Sequence, residues 1–300
     1  MREVQLLILG AGWTSTFLIP LLVSRKISFA ATTTTGHNVA GHETFSFRFD
    51  PTASDQSAFS TLPNARNVLI TFPLKGTGQS KLLVDSYNQY HPKLRHKAHF
   101  IQLGSTGIFQ IPEQSLWVTR NSAYSKTNDR AIAEDELRSL GGCVLNLAGL
   151  WGGERKPEKW VSRVAKTKED VKNKTSLHMV HGMDVARGVI AVSEAWGRDE
   201  EGCKGERWML TDGFVYDWWA LFAGWASVEQ AAETDKVIES EGENTGNIDV
   251  VPSEQSQWVY ELLQEHNVKA LPRSYEALGR CYDSRDFWQR FEISPLKARI

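Results

Sequence analysis

The residues of this sequence with the clearest chemical purpose stand near its start. Gly10, Gly12 and Ser15 lie in Gly10-Ala-Gly-Trp-Thr-Ser15, directly after the apolar run Val4–Leu9. A first glycine permits a tight strand-to-helix turn. A second removes the Cβ that would collide with phosphate oxygens, and a small third residue lets helix and strand pack closely. Serine in third place keeps the small size and adds a hydroxyl. The start of the following helix, with Trp13 and Thr14 just before Ser15, would then face a pyrophosphate. The plain alternative is a turn of the same shape that holds no ligand. An apolar strand before the motif and helical spacing after it favour a dinucleotide.

Cofactor choice is read at the end of the next strand. Ala31-Thr-Thr-Thr-Thr-Gly-His37 contains no Asp or Glu. A carboxylate there would bind ribose hydroxyls and repel a 2′-phosphate, whereas the hydroxyls of Thr34 and Thr35 accept one. This favours NADP(H) over NAD(H). No arginine stands in that stretch; Arg25 and Lys26 are near only in sequence.

These positions need a scaffold that ends its strands at one edge. Strands are predicted at Val4–Leu9, Ile27–Thr34, Val68–Phe72, Ala98–Leu103, Cys143–Leu147 and Trp208–Thr211. Helices are predicted at Thr16–Ser24, Lys81–Tyr90, Asp129–Leu140, Met183–Trp196 and Asp217–Ala232, with polar loops at Gly197–Gly205 and Glu233–Asn247. Alternating strands and helices imply an α/β fold with a Rossmann-type, doubly wound parallel sheet. Residues 1–175 are expected to form the dinucleotide-binding core. Residues 176–300 are expected to form a smaller, aromatic-rich substrate lobe, some of whose segments return to the core.

A net charge of −2 with interleaved signs argues against nucleic acid or an anionic membrane as partner. The partner expected is a small-molecule substrate. Three scattered cysteines with no C-x-x-C pair suggest neither disulfides nor a metal site. The short apolar N-terminal run ends in glycine and reads as a strand, so a cytoplasmic protein is expected. Of the eleven tryptophans, Trp196, Trp208, Trp218, Trp219 and Trp225 fall in the second half. They can line an apolar cleft, fill a core or face a second copy in a homo-oligomer.

The glycine turn, Thr71-Phe-Pro73, Leu103-Gly-Ser-Thr-Gly-Ile-Phe109, Leu147-Ala-Gly-Leu-Trp-Gly152 and Val180-His-Gly-Met-Asp-Val-Ala186 follow one another in a familiar order. Together they resemble the short-chain dehydrogenase/reductase superfamily, in its atypical or extended, NAD-dependent epimerase/dehydratase-like branch, over about residues 4–190. The resemblance implies cofactor contacts at Phe72 and Pro73. It also implies a substrate-polarising hydroxyl at Ser105, with Thr106 adjacent. The family's Tyr-x-x-x-Lys pair is absent in register: Lys126 stands where tyrosine belongs and Arg130 where lysine belongs, with Tyr124 two residues earlier. The catalytic candidates are therefore Ser105, Tyr124 and Lys126. Arg130 can hold a ribose or phosphate oxygen but cannot donate a proton at neutral pH. His181 and Asp184 match a histidine and aspartate before a helix, where Asp184 reads as an N-cap. Leu278–Trp288 reads as a segment docked on the main lobe. The activity implied is an NAD(P)-dependent oxidoreductase or epimerase-like enzyme for a small oxygenated organic molecule. The missing pair keeps open a non-redox nucleotide-binding protein (sensor, isomerase or cyclase).

Overall fold

The computed structural model describes residues 3–92, 97–110, 115–198, 200–225 and 252–300. Seven strands make the main sheet: β1 Val4–Leu9, β2 Phe29–Thr33, β3 Phe45–Ser46, β4 Ala65–Ile70, β5 His99–Ser105, β6 Cys143–Leu147 and β7 Arg207–Leu210. They lie in the order β7-β6-β5-β4-β1-β2-β3, every neighbour parallel. The expected Rossmann-type sheet is therefore present. All strand C-termini open on one edge, and the chain changes direction across the sheet between β1 and β4, where such sheets bind ligands.

Period-two alternation sorts the side chains between two layers. Leu6, Ile8, Leu69, Ile101 and Leu145 face α1 (Ser15–Ser24) and α4 (Gly182–Trp196). Leu7, Leu9, Val68, Ile70 and Val144 face α2 (Gln79–Tyr90) and α3 (Asp129–Ser139). Burial on both sides explains the unbroken apolar runs in the sequence. Observed ends differ from expectation by a residue or two, except that the strand expected at Val68–Phe72 begins at Ala65 and stops at Ile70. The sequence reading missed β3. The helix expected at Asp217–Ala232 is observed over 218–225; its remainder, and the loop Glu233–Asn247, lie outside the described residues.

A smaller core joins Val161, Ala165 and Val171 to Trp218, Trp219, Phe222, Val259 and Leu262. Its first three members stand before residue 175, so the chain enters this lobe earlier than expected, while α4 and β7 return to the main sheet. Trp196, Trp208, Trp218 and Trp219 are all buried, which makes them core fillers. The tail docks through its backbone: Leu296 and Lys297 amides donate to the two oxygens of buried Asp184, each at 2.8 Å, and the Arg299 amide donates to Tyr216 Oη at 3.0 Å. No helix among the described residues is long and apolar enough to cross a membrane.

One buried ion pair ties the small lobe together. Arg273 Nη2 donates to Asp217 Oδ1 at 2.7 Å, its amide to Oδ2 at 2.7 Å, and its guanidinium lies 3.9 Å from the Trp219 ring centre. Removing only the arginine strands a buried carboxylate. Arg273→Met should lower unfolding free energy by about 3–5 kcal/mol in denaturant titration. Adding Asp217→Asn should recover much of that loss; no recovery would mean that the packing, not the charge, was lost.

Candidate functional site

The glycine turn is fixed from both neighbouring strands. The Gly10 amide donates to Thr32 Oγ1 at 3.0 Å, and the Ala11 amide to the Thr32 carbonyl at 2.6 Å. From the other side, Thr71 Oγ1 donates to the carbonyls of Leu9 and Gly10. Gly10 has φ +87°, and a Cβ there would lie 2.9 Å from both Phe72 Cδ1 and Thr71 Oγ1, so only glycine fits. Gly12 differs: a Cβ would meet nothing nearer than the Gly10 carbonyl at 4.0 Å. Its lack of a side chain keeps space open.

What borders that space suits an anion. Among the described residues, the amides of Gly12, Trp13 and Thr14 donate to no protein acceptor. The first turn of α1 has neither an acidic residue nor a side-chain cap, and Ser15 Oγ is buried with no partner. Amides aimed at open space from a helix start suit a pyrophosphate. Trp13 braces the turn: its Nε1 donates to the Gly152 carbonyl at 3.2 Å, its ring meets Phe17 edge-on at 5.0 Å, and the Arg155 guanidinium lies 4.3 Å from its centre. A Cβ on Gly152 would lie 2.2 Å from His181 Nε2, so the loop after β6 reaches the turn only because it is glycine.

Along the edge towards β3, Thr34 and Thr35 are exposed, with Thr35 Oγ1 3.0 Å from His37 Nδ1. Phe72 stacks on Phe49 at 6.1 Å beside Gly10, and Pro73 is exposed next to it. The sequence reading missed Arg48. Thr33 pairs with Ser46 in parallel register, and Arg48 is exposed two residues beyond that pair. Its signal was the alternation Phe45-Ser-Phe-Arg-Phe49, a two-residue period hidden by the brevity of the strand.

At the other end, Ser105 closes β5. Its Oγ accepts the Gly107 amide at 3.1 Å, which leaves its proton free to donate among the described residues. Its own amide donates to Glu134 Oε1 at 3.3 Å. Buried Glu134 also takes Asn146 Nδ2 at 2.8 Å and Arg207 Nη2 at 3.2 Å, and burial pushes its carboxyl up despite those partners. Tyr124 and Lys126 come together, but on α3: the tyrosine hydroxyl donates to Asp135 at 2.8 Å, and Lys126 Nζ donates to that hydroxyl and to Asp135. No hydrogen bond among the described residues joins either to Ser105. Arg130, in the first turn of α3, is half-buried.

His181, not Asp184, caps α4, its Nδ1 accepting the Met183 amide at 3.0 Å. Asp184 lies in the first turn, three residues after the cap, and its buried carboxylate holds the tail through the Leu296 and Lys297 amides. His178, three residues earlier, also escaped the sequence reading. It is buried; its Nε2 accepts the Tyr282 amide at 3.0 Å, and Tyr282 Oη donates to the Thr106 carbonyl at 3.1 Å. Unlike His181, it stands outside the Val180–Ala186 motif, so nothing in the sequence marked it. A hollow of about 400 Å³ lined by Leu6, Leu22, Asn67 and Ile190 lies at the strands' N-terminal edge, away from all these residues.

The two glycines should separate in mutagenesis. Gly10→Ala should destabilise by about 1–3 kcal/mol in denaturant titration, from backbone strain and collision. Gly12→Leu should leave the unfolding midpoint nearly unchanged yet weaken nucleotide binding at least about tenfold by calorimetry. Equal effects on folding would remove the distinction. Burial holds the imidazole of His178 down at about 3, from 6.5. The folded state therefore binds the proton less readily than the unfolded chain. The stabilising effect is complete above pH 6.5 and is lost as pH falls towards 3. Between pH 6.5 and 4 the wild type should lose about 3 kcal/mol that His178→Asn does not. Parallel stability profiles for the two proteins would contradict this.

No protein-family model matches the sequence, and no curated protein does. Solved structures do resemble the fold. A functionally unknown conserved protein from Silicibacter pomeroyi DSS aligns over 99% of this chain and 95% of its own, with TM-score 0.60 and 15% identity. UDP-N-acetylglucosamine 4-epimerase from Bacillus cereus aligns over 98% and 94%, with TM-score 0.59 and 11% identity. A short-chain dehydrogenase/reductase superfamily protein from Agrobacterium tumefaciens with bound NAD aligns over 89% and 100%, with TM-score 0.53 and 11% identity. Across nearly its whole length, the chain has the fold of the NAD-dependent epimerase/dehydratase and short-chain dehydrogenase/reductase structures.

Proposed function

We propose that the protein is an NADP(H)-dependent oxidoreductase, or an epimerase-like enzyme, acting on a small oxygenated organic molecule. The observation that carries this reading is the space above Gly12, bordered by three amides that have no protein acceptor among the described residues. Gly10, Gly12, Trp13, Thr14 and Ser15 would hold the pyrophosphate, Thr34 and Thr35 the adenosine ribose, and Phe72 and Pro73 the adenine. Arg48, just past the end of β3, would supply the cation that favours a 2′-phosphate. When bound, the cofactor supplies hydride to a carbonyl carbon or takes it from an alcohol. Ser105 donates its hydroxyl proton to the reacting oxygen as a hydrogen bond and stabilises negative charge there.

A second reading has its own support. The tyrosine and lysine nearest the family's catalytic register are engaged by Asp135, and Arg130 cannot give up a proton. This favours a non-redox protein that binds the nucleotide as a sensor, or that isomerises or cyclises its substrate.

Following NADPH absorbance across a panel of aldehydes and ketones separates the two. The first reading expects turnover that Ser105→Ala slows about 100-fold. Arg48→Ala should weaken NADPH by about tenfold or more while leaving NADH unchanged. Tight NADPH binding by calorimetry with no turnover across the panel would favour the second reading.

A further inference from the structure

Arg130 is out of place among the arginines of this chain. The other buried or half-buried ones among the described residues, from Arg120 to Arg290, each meet a carboxylate, a carbonyl or an aromatic ring. Arg130 is half-buried, and its guanidinium has no hydrogen bond, ion pair or ring contact among the described residues. A half-buried cation without a partner is costly unless a ligand neutralises it.

Its position indicates which ligand. The first turn of α3 is tied to the loop after β4 by the Gly76 amide, which donates to the Asp129 carbonyl at 2.8 Å. One turn further along, Glu134 reaches the Ser105 amide and feels the charge of Arg130. Arg130 therefore stands in the first turn of α3, on the face that carries Glu134 and at the edge where β5 ends in Ser105. The α3 amides cannot replace it, since those of Arg130 and Ala131 already donate to Asn128 Oδ1. Ribose hydroxyls are neutral and would leave the charge uncompensated. The pyrophosphate has its own donors at Gly12–Thr14.

We propose that Arg130 binds an oxyanion carried by the substrate, a carboxylate or a phosphate, and holds it beside the oxygen that Ser105 polarises. The planar fork of the guanidinium suits either group in a two-point contact. This narrows the substrate class to anionic carbonyl or hydroxyl compounds, and it rests on the dinucleotide reading of the glycine turn.

Calorimetric titration with oxalate, and separately with inorganic phosphate, tests it in protein saturated with NADP+ and in cofactor-free protein. Saturation blocks the pyrophosphate cradle, so any remaining oxyanion binding reports the second site. The expected result is that one of the two anions binds the saturated protein. Arg130→Gln should weaken that binding at least about tenfold, Arg130→Lys less, with NADP+ affinity nearly constant. The tighter anion assigns the group. Equal binding by wild type and Arg130→Gln, or no binding by either, would overturn the proposal. So would an equal loss of NADP+ and oxyanion, which would give the guanidinium to the cofactor. If the protein binds no NADP+, the dinucleotide reading fails on its own, while the cofactor-free titration still reads Arg130.

Discussion

The site depends on the locking of one peptide turn between two strands. Leu9, Gly10 and Ala11 leave β1 with their polar groups taken by Thr32 on one side and Thr71 on the other. The chain must then turn at once, with a left-handed glycine. Among the described residues, three amides are left without protein acceptors, and α1 starts beside them. Parallel order makes this possible: β2 and β4 both flank β1, and all three end at the same edge. An antiparallel neighbour would present its start there, and the two threonines could not converge.

The other end of the edge is organised by a buried polar cluster. Glu134 gathers the Ser105 amide, Asn146 and Arg207 beneath α3. A cluster so completely desolvated holds its members in one arrangement, because each partner lost would expose an unpaired group to a low-dielectric interior. Ser105 is positioned from below in this way. Tyr124, Lys126 and Asp135 form a more exposed set joined to it by Arg207, whose Nη2 also donates to Asp135 at 3.2 Å and whose guanidinium lies 4.3 Å from the Tyr124 ring centre. The cation at Arg130 belongs to neither, which is why it is available to a ligand.

Much of this was legible in the residues. Apolar runs closed by Gly10 and by the glycines after Leu147 mark buried parallel strands and the loops at their ends, whereas Gly104 lies inside β5, paired with Asn146. The turn itself reads from type and spacing alone. Arg48 was hidden because β3 is only two residues long. Its place just past the end of β3 is set by the pairing of β3 with β2. His178 was hidden because a buried, neutral imidazole looks the same in sequence as a capping one. The Asp184 cap was misassigned because the sequence does not show that the tail returns to claim its carboxylate.

The sequence by itself determined the fold class, the glycine turn between β1 and α1 and the absence of an in-register tyrosine–lysine pair, since all of these depend on local periodicity or on fixed spacing. Tertiary structure alone decided that Tyr124 and Lys126 close on Asp135, that Arg48 follows a strand paired with β2, and that Arg130 has no partner among the described residues. Those outcomes depend on contacts between segments far apart in the chain. There, burial and the need to satisfy each charge, rather than local propensity, select the partner.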